Sequence, residues 1–342
     1  MKREKPPTIK EIAKKLKIST STVSRALHNH PSIGYITTLR VHKMAEELNY
    51  QPNQTAISFK QRKTYTIGVL LPNLSEAFFS TAISGIEEFA EQQKYNVLMG
   101  QSLDDPEREK RVLETMKTHR VDGMIVSISK NTDNYDHFDQ LKKVNIPIVF
   151  FDRIPEKNDI HYTACNLELG LINAMVMLVK RGHTKIALIN GPEKLLASNQ
   201  RLEAYKKGLD ENNIEVDKRF IVSSDLSKEG NQKAMKKLLA LKSRPTAVIT
   251  FNDYLALDAM AVAKENQLVI NEDISFVSFA NLPIWAYMDS RPLASIEQFP
   301  FKQGEKAAEI LFSILKESSN EESIELSEYQ QVIFDSELVT HG

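Results

Sequence analysis

Between Ser19 and His28 the chain reads STSTVSRALH. Val23, Ala26 and Leu27 recur at helical spacing and supply an inward face. The residues left over, Thr20, Ser21, Thr22, Ser24 and Arg25, are four short hydroxyls and one guanidinium, with no acidic group among them. Such groups suit phosphate oxygens and base edges in a DNA major groove. The alternative is a plain surface helix, whose solvated face ordinarily includes acids. A second set of candidates sits at the ends of apolar runs far along the chain: Asn73 with Phe78 and Phe79, Asp152 with Arg153, Arg201 beyond Gly191, Asn252 with Asp253, and Asn281. The planar fork of Arg201 suits bidentate contact with a carboxylate or paired hydroxyls; the competing role is a surface ion pair with Glu203 or Glu193. Phe78 and Phe79 suit stacking on a ligand ring or seeding a core. Asp253 is expected to cap a helix in preference to touching ligand.

The elements that must position these groups follow from periodicity. Thr8 is expected to cap a first helix, with Glu11 reaching back to its backbone N–H. Ile9, Ile12, Ala13 and Leu16 form the buried stripe of that helix, and Lys17 to Ser19 breaks it. Ser19 then caps the second helix. A loop from His28 to Tyr35 leads to a third helix with Val41, Met44, Ala45 and Leu48 inward. Pro52 stops helical structure, and a linker follows. From Tyr65 strand-like runs alternate with amphipathic helices: Thr66–Leu71, Asn96–Met99, Gly123–Ile128 and Ile146–Phe151, then Lys185–Asn190, Ala247–Phe251 and Ile274–Phe279. This pattern predicts parallel sheets with helices on both faces, in two blocks with a cleft between them. Ligands of such sheets bind beyond the carboxyl ends of strands, where the second set of candidates lies. The expected organisation is residues 1–50 as a helix-turn-helix domain, 51–64 as a hinge and 65–342 as a two-lobed effector-binding and dimerisation domain.

Composition narrows the function classes. The 342 residues are 42% hydrophobic, enough for more than one core. One cysteine, Cys165, excludes intramolecular disulfides and a cysteine-based zinc site. The eight histidines show no metal-ligand spacing. No apolar run is long enough to span a bilayer, and the basic N-terminus lacks the apolar stretch of a signal peptide, so a cytoplasmic protein is expected. The net charge of −1 conceals an asymmetry. Residues 1–63 hold 13 Lys and Arg against 4 Asp and Glu, and the remainder holds 31 against 41. A basic head on an acidic body concentrates attraction for a polyanion at one end.

The run from Thr8 through Ser21-Thr-Val-Ser-Arg-Ala-Leu27, followed by Glu46-Glu-Leu-Asn-Tyr-Gln-Pro-Asn53, resembles the headpiece of the LacI/GalR family of bacterial transcriptional regulators. The likeness extends to about Leu338. It implies an α/β fold: an all-α helix-turn-helix headpiece and a two-lobed, periplasmic-binding-protein-like body. In that body the chain crosses back near Arg291–Gln298 and again before a C-terminal strand at Gln331–Leu338. It also implies that Thr8, Thr20, Ser21, Thr22, Ser24, Arg25, His28 and Asn53 serve DNA binding. Phe59, with Lys60 beside it, falls where the family wedges an apolar side chain into the minor groove; the other role for Phe59 is packing in a plain tether. Arg201 and Asn252-Asp253 match family positions in the cleft. Gly34 and Thr38 depart from a usual serine and arginine on the third helix. Ala280 stands where the family usually places an aspartate, Leu226 where it often has an aromatic platform, and Cys165-Asn166 where it has Asp-Asn. Effector identity therefore does not transfer, and a sugar, a sugar derivative, an acidic metabolite or a partner protein all stay open.

No nucleotide-binding glycine loop or nucleophile elbow is present, and no carboxylate pair stands out as an acid–base couple, so an enzyme is not expected. No cofactor is expected either. The expectation is a homodimer that binds a palindromic double-stranded operator as a repressor-type regulator, with a small-molecule effector between the lobes and no membrane contact. With no apolar heptads after Leu338, no tetramerising coiled coil is expected. The rival is a solute-binding protein of the sugar-transport type.

Overall fold

The computed structural model describes residues 7–50, 63–317 and 328–341, and the chain divides into two compact units, Met1–Thr64 and Tyr65–Gly342. In the first unit, α1 (Ile9–Leu16), α2 (Thr20–Leu27) and α3 (Tyr35–Glu47) enclose a small core. The Thr8 N–H donates to Glu11 Oε2 at 3.0 Å. Lys17, at φ 51°, turns the chain out of α1, and Ser19 Oγ accepts the Thr22 N–H at 3.0 Å to start α2. Ile12, Ala13, Val23, Ala26, Val41 and Ala45 are the buried residues, with Leu16, Met44 and Leu48 packed against them.

The second unit has two lobes. The first is built from β1 (Thr66–Leu71), α4 (Ala77–Gln92), β2 (Asn96–Gln101), α5 (Pro106–Thr118), β3 (Gly123–Val126), α6 (Asp136–Lys142), β4 (Ile148–Phe151) and β5 (His161–Asn166). The chain then enters the second lobe: α7 (Glu168–Lys180), β6 (Ile186–Asn190), α8 (Leu196–Glu211), β7 (Ile221–Ser223), α9 (Lys228–Leu239), β8 (Ala247–Thr250), α10 (Asp253–Glu265), β9 (Ser275–Phe279) and β10 (Ala294–Glu297). It ends with α11 (Pro300–Glu317), β11 (Gln331–Asp335) and β12 (Glu337–Thr340). The sheets run β11-β5-β4-β3-β1-β2 and β12-β10-β9-β8-β6-β7. All pairings are parallel except β10 with β12. Central strands such as β3 (GMIV) and β4 (IVFF) are buried at every position, because helices cover both faces.

Two features of the connections differ from expectation. The segment expected as one strand, Gln331–Leu338, is two strands in different sheets, so the last crossing falls inside it, at Ser336. Buried Ser336 donates its N–H to the Asn166 carbonyl at 3.0 Å and accepts the Gly170 N–H at 3.1 Å. These bonds satisfy the backbone where it leaves one sheet for the other. Periodicity also missed β5, β7 and the helices α9 and α11. α11 follows a second-lobe strand yet packs on α4 of the first lobe. Glycines permit that close approach: a Cβ on Gly304 would lie 2.0 Å from the Ala82 carbonyl oxygen, and one on Gly85 would lie 2.2 Å from that of Phe301.

Candidate nucleic-acid interface and ligand cleft

On α2, Val23 and Ala26 are buried, while Thr20, Ser21 and Arg25 are exposed and Thr22 and Ser24 half-buried. The Ser19 hydroxyl lies 2.7 Å from that of Ser21 and 2.8 Å from that of Thr22. This fixes the hydroxyls as a cluster at the helix N-terminus. His28 Nδ1 sits 2.7 Å from the Ser24 carbonyl oxygen, which can only accept, so Nδ1 carries a proton and Nε2 points away from this bond. Arg25 has no ion-pair partner among the described residues. Its guanidinium is therefore free for an anion. Thr8 is an exposed cap on α1. Asn53, Phe59 and Lys60 lie outside the described residues. Tyr35, Ile36 and Leu39, on the outer face of α3, are exposed apolar side chains that the helical pattern did not single out. Counting outward as well as inward positions of that helix would have shown them.

In the second unit six of the eight predicted cleft residues meet. Phe78, Phe79, Asp152, Arg153, Arg201 and Asn252 line one pocket between the lobes. Asn73 and Asn281 are not part of it. The Asn73 side chain accepts the Ser75 N–H at 2.9 Å to close its own turn, and Asn281 donates to Glu297 Oε2 at 2.8 Å. The free volume is about 50 Å³, room for one or two waters, so a sugar-sized ligand requires side chains or lobes to move. Among the described residues, two side chains bridge the cleft by hydrogen bonds. The Tyr254 hydroxyl on α10 donates to the Ser75 carbonyl at 3.3 Å and accepts the Ala77 N–H at 3.1 Å. Lys130 Nζ donates to the Asp225 carbonyl at 3.0 Å.

Arg201 is not the surface ion pair that Glu203 or Glu193 would have formed. Its guanidinium lies over the Phe251 ring at 4.0 Å and the Phe279 ring at 4.4 Å. The residue is 4% exposed, one terminal nitrogen donates to the Ala197 carbonyl at 3.0 Å, and Nε has no partner. Burial lowers its pKa to about 10, partly offset by Asp152. Arg153 differs, because it donates to Asp104 at 2.7 Å. Burial pushes the Asp152 carboxyl up, against the pull of Arg153 and Arg201. Phe78 and Phe79 belong to the first-lobe core and meet each other edge-on at 5.4 Å. They line the pocket and are core residues first.

The cap expected at Asp253 is supplied by the residue before it. Asn252 is the cap, accepting the Leu255 N–H at 2.9 Å. Asp253 instead fastens the turn after β9, accepting the Ser278 hydroxyl and the Leu282 N–H, the latter at 2.6 Å. An extended Asn252 backbone puts its own side chain over the free N–H groups, leaving Asp253 inside the first turn and aimed inward. Burial raises Asp253 to about 6. The turn it holds includes Ala280 at φ 104°, an unusual conformation for a residue with a Cβ, on the pocket wall. Leu226 packs against the second-lobe core. The Cys165 thiol, pushed up to about 12 by burial, lines an adjoining pocket. The sequence did not single out Glu76, Phe251, Tyr254 and Gln298, which also line the cleft. Glu76 and Tyr254 follow closely on expected strand ends, so the loop rule would have included them if extended a few residues.

The profile described as "Bacterial regulatory proteins, lacI family" matches residues 8–53, and that described as "Periplasmic binding protein domain" matches residues 67–319. HTH-type transcriptional repressor PurR of Vibrio atlanticus (strain LGP32) is 31% identical, across 93% of this chain and 94% of its own. HTH-type transcriptional repressor CytR of Escherichia coli (strain K12) is 32% identical, across 91% of this chain and 90% of its own. The crystal structure of the Lac repressor dimer bound to operator and the anti-inducer ONPF superposes with a TM-score of 0.84 at 24% identity, covering 98% of each chain. That likeness carries the fold alone. No helix among the described residues is long and apolar enough to cross a membrane. With an acid-free helix-turn-helix face, a two-lobed body and relatives matched nearly end to end, this chain belongs to the lacI family of bacterial regulatory proteins.

Proposed function

We propose that the chain is a repressor-type transcriptional regulator that binds a two-fold symmetric operator as a homodimer and takes a small-molecule effector in the interlobe cleft. The acid-free outer face of α2, with Arg25 unpaired, is the observation that carries the DNA half. In this reading α2 enters the major groove. Thr20, Ser21, Thr22, Ser24, Arg25 and His28 contact phosphates and base edges, and the second copy occupies the next half-site. Thr8, Asn53 and Lys60 supply backbone contacts, and Phe59 wedges into the intervening minor groove. In the cleft Arg201 supplies the donor nearest the ligand, with Asp152, Arg153 and Asn252 around it. Asn73 and Asn281 act through the loops they close. The effector is a small polar molecule, bound without turnover, and its differential affinity for two lobe arrangements alters operator affinity.

Selection of bound fragments from a random DNA pool, with the full chain at a stated salt concentration, tests this. Enrichment of an inverted repeat is expected. Enrichment of single half-sites would overturn the dimeric reading, and sequence-independent retention would overturn the assignment of α2. A solute-binding protein without a DNA role would retain nothing beyond its basic charge.

A further inference from the structure

Two carboxylates in the cleft lack partners. Glu76, which precedes α4, and Asp152, which follows β4, line the same pocket from the first lobe. No hydrogen bond or ion pair among the described residues reaches either side chain. The nearby cations are otherwise engaged. Arg153 is bound to Asp104 at 2.7 Å, and Lys130 lies 3.6 Å from the same carboxylate. Across the pocket Arg201 is buried, spends one nitrogen on a backbone carbonyl and leaves Nε unpartnered. The cleft thus presents four carboxylate oxygens that can only accept when ionised and that no donor among the described residues reaches, although Asn252, Tyr254 and Gln298 also line it. Burial raises both carboxyls, and each cation nearby offsets this only in part. A ligand that completes the site must bring donors and positive charge to one wall and an acceptor to the other.

We propose that Glu76 and Asp152 select an amine-bearing, polyhydroxylated effector, whose ammonium group lies between the two carboxylates while a hydroxyl oxygen accepts from Arg201. An ammonium brings three donors and a positive charge, whereas a hydroxyl in its place brings one donor and no charge. Phe78, Phe79 and Phe251 supply the apolar edge against which the carbon skeleton lies. The assignment rests on the cleft being the effector site. It names the class of molecule that the site takes.

The test uses two pairs matched except for the amine, D-glucamine with D-glucitol and D-glucosamine with D-glucose, plus D-gluconate as an acidic member. Binding to the full chain is measured by calorimetry, in buffer acidic enough to charge both amines. The amine of at least one pair is expected to bind about tenfold or more tightly than its partner. Glu76→Gln is expected to reduce that preference to about twofold or less, with the thermal transition of the second unit kept as the folding control. Asp152→Asn repeats the test from the other carboxylate. Equal affinity within both pairs, preference for gluconate, no binding by either amine, or a preference that survives both substitutions overturns the assignment. Binding of a neutral or acidic member that Arg201→Met abolishes would leave the effector cleft standing while the amine assignment falls.

Discussion

Replacing Arg201 with methionine separates what this residue does for folding from what it does for ligand. Its pKa is lowered from 12.5 to about 10 by burial, which corresponds to about 3 kcal/mol of destabilisation of the charged form. Against this stand two guanidinium–ring contacts, at 4.0 and 4.4 Å, each contributing about 1–2 kcal/mol when desolvated. A charge-assisted bond to the Ala197 carbonyl adds about 1.5–3 kcal/mol. Methionine removes the burial cost, keeps most of the volume and gains about 1 kcal/mol of sulfur–ring contact. Losing the side-chain bond leaves no orphan, because Ala197 lies four residues before Arg201 in α8 and its carbonyl takes part in the helix ladder. The terms nearly cancel. Arg201→Met should therefore change the stability of the second unit by no more than about 3 kcal/mol, while effector binding and effector-dependent release or recruitment of operator are lost. Scanning calorimetry of the full chain with and without effector reads both. A loss of more than about 4 kcal/mol without ligand would show that the guanidinium is a structural pin, and the assignment of Arg201 as the principal effector donor would then lose its physical basis.

Arg25→Ala should weaken operator binding by about 1–3 kcal/mol, or roughly five- to 150-fold, with an unchanged circular dichroism spectrum because the side chain is exposed; equal affinity would refute its role. Ile12→Ala empties the centre of a core with six buried residues and should cost about 2–5 kcal/mol, close to the whole stability expected of a headpiece of this size, about 2–6 kcal/mol. Calorimetry should show the headpiece transition lost and the body transition intact. Asp253, raised from 3.8 to about 6, contributes stability that is fully present below its unfolded pKa and lost as pH rises through its folded one. That loss is about 3 kcal/mol between pH 4 and 6, and a urea-midpoint series against pH should show the component in the wild type and not in Asp253→Asn.

The parts of this molecule legible from sequence are those where one residue's neighbours in the chain decide its environment. Thr8–Glu11 and the Ser19–Thr22 cap each span four consecutive residues. The stripe Val23, Ala26, Leu27 fixes which face of α2 is left for DNA. Strands such as Gly123–Val126 announce themselves by continuous apolarity, because both faces are covered. The misses are where distant chain decides. α11 is not picked out by periodicity, and nothing local says that it leaves the lobe of the strand before it. Gly85 and Gly304 become meaningful only once the two helices meet, the first against the Phe301 backbone and the second against that of Ala82. Ser336 likewise looks like any polar residue inside a strand until Asn166 and Gly170 are placed beside it.

The cleft was half legible for the same reason. Strand ends point to it, so Asp152, Arg153 and Arg201 were found, but the chemistry of a residue there depends on what is already satisfied. Arg153 and Arg201 are the same residue type, although only Arg201 matches a family cleft position. In the fold Asp104 occupies the first, and nothing occupies Nε of the second, so their availability to a ligand differs although their residue type does not. The cap moves from Asp253 to Asn252 for a similar reason: one backbone step decides which side chain faces the helix N-terminus and which is driven inward to hold the Ser278–Leu282 turn. Glu76 was invisible because a lone glutamate before a helix is ordinarily a solvated one. It becomes informative only when burial, a second carboxylate and an absent counter-ion coincide, and that coincidence is a property of two strand ends and a helix start brought together by the sheet order, which no local pattern encodes.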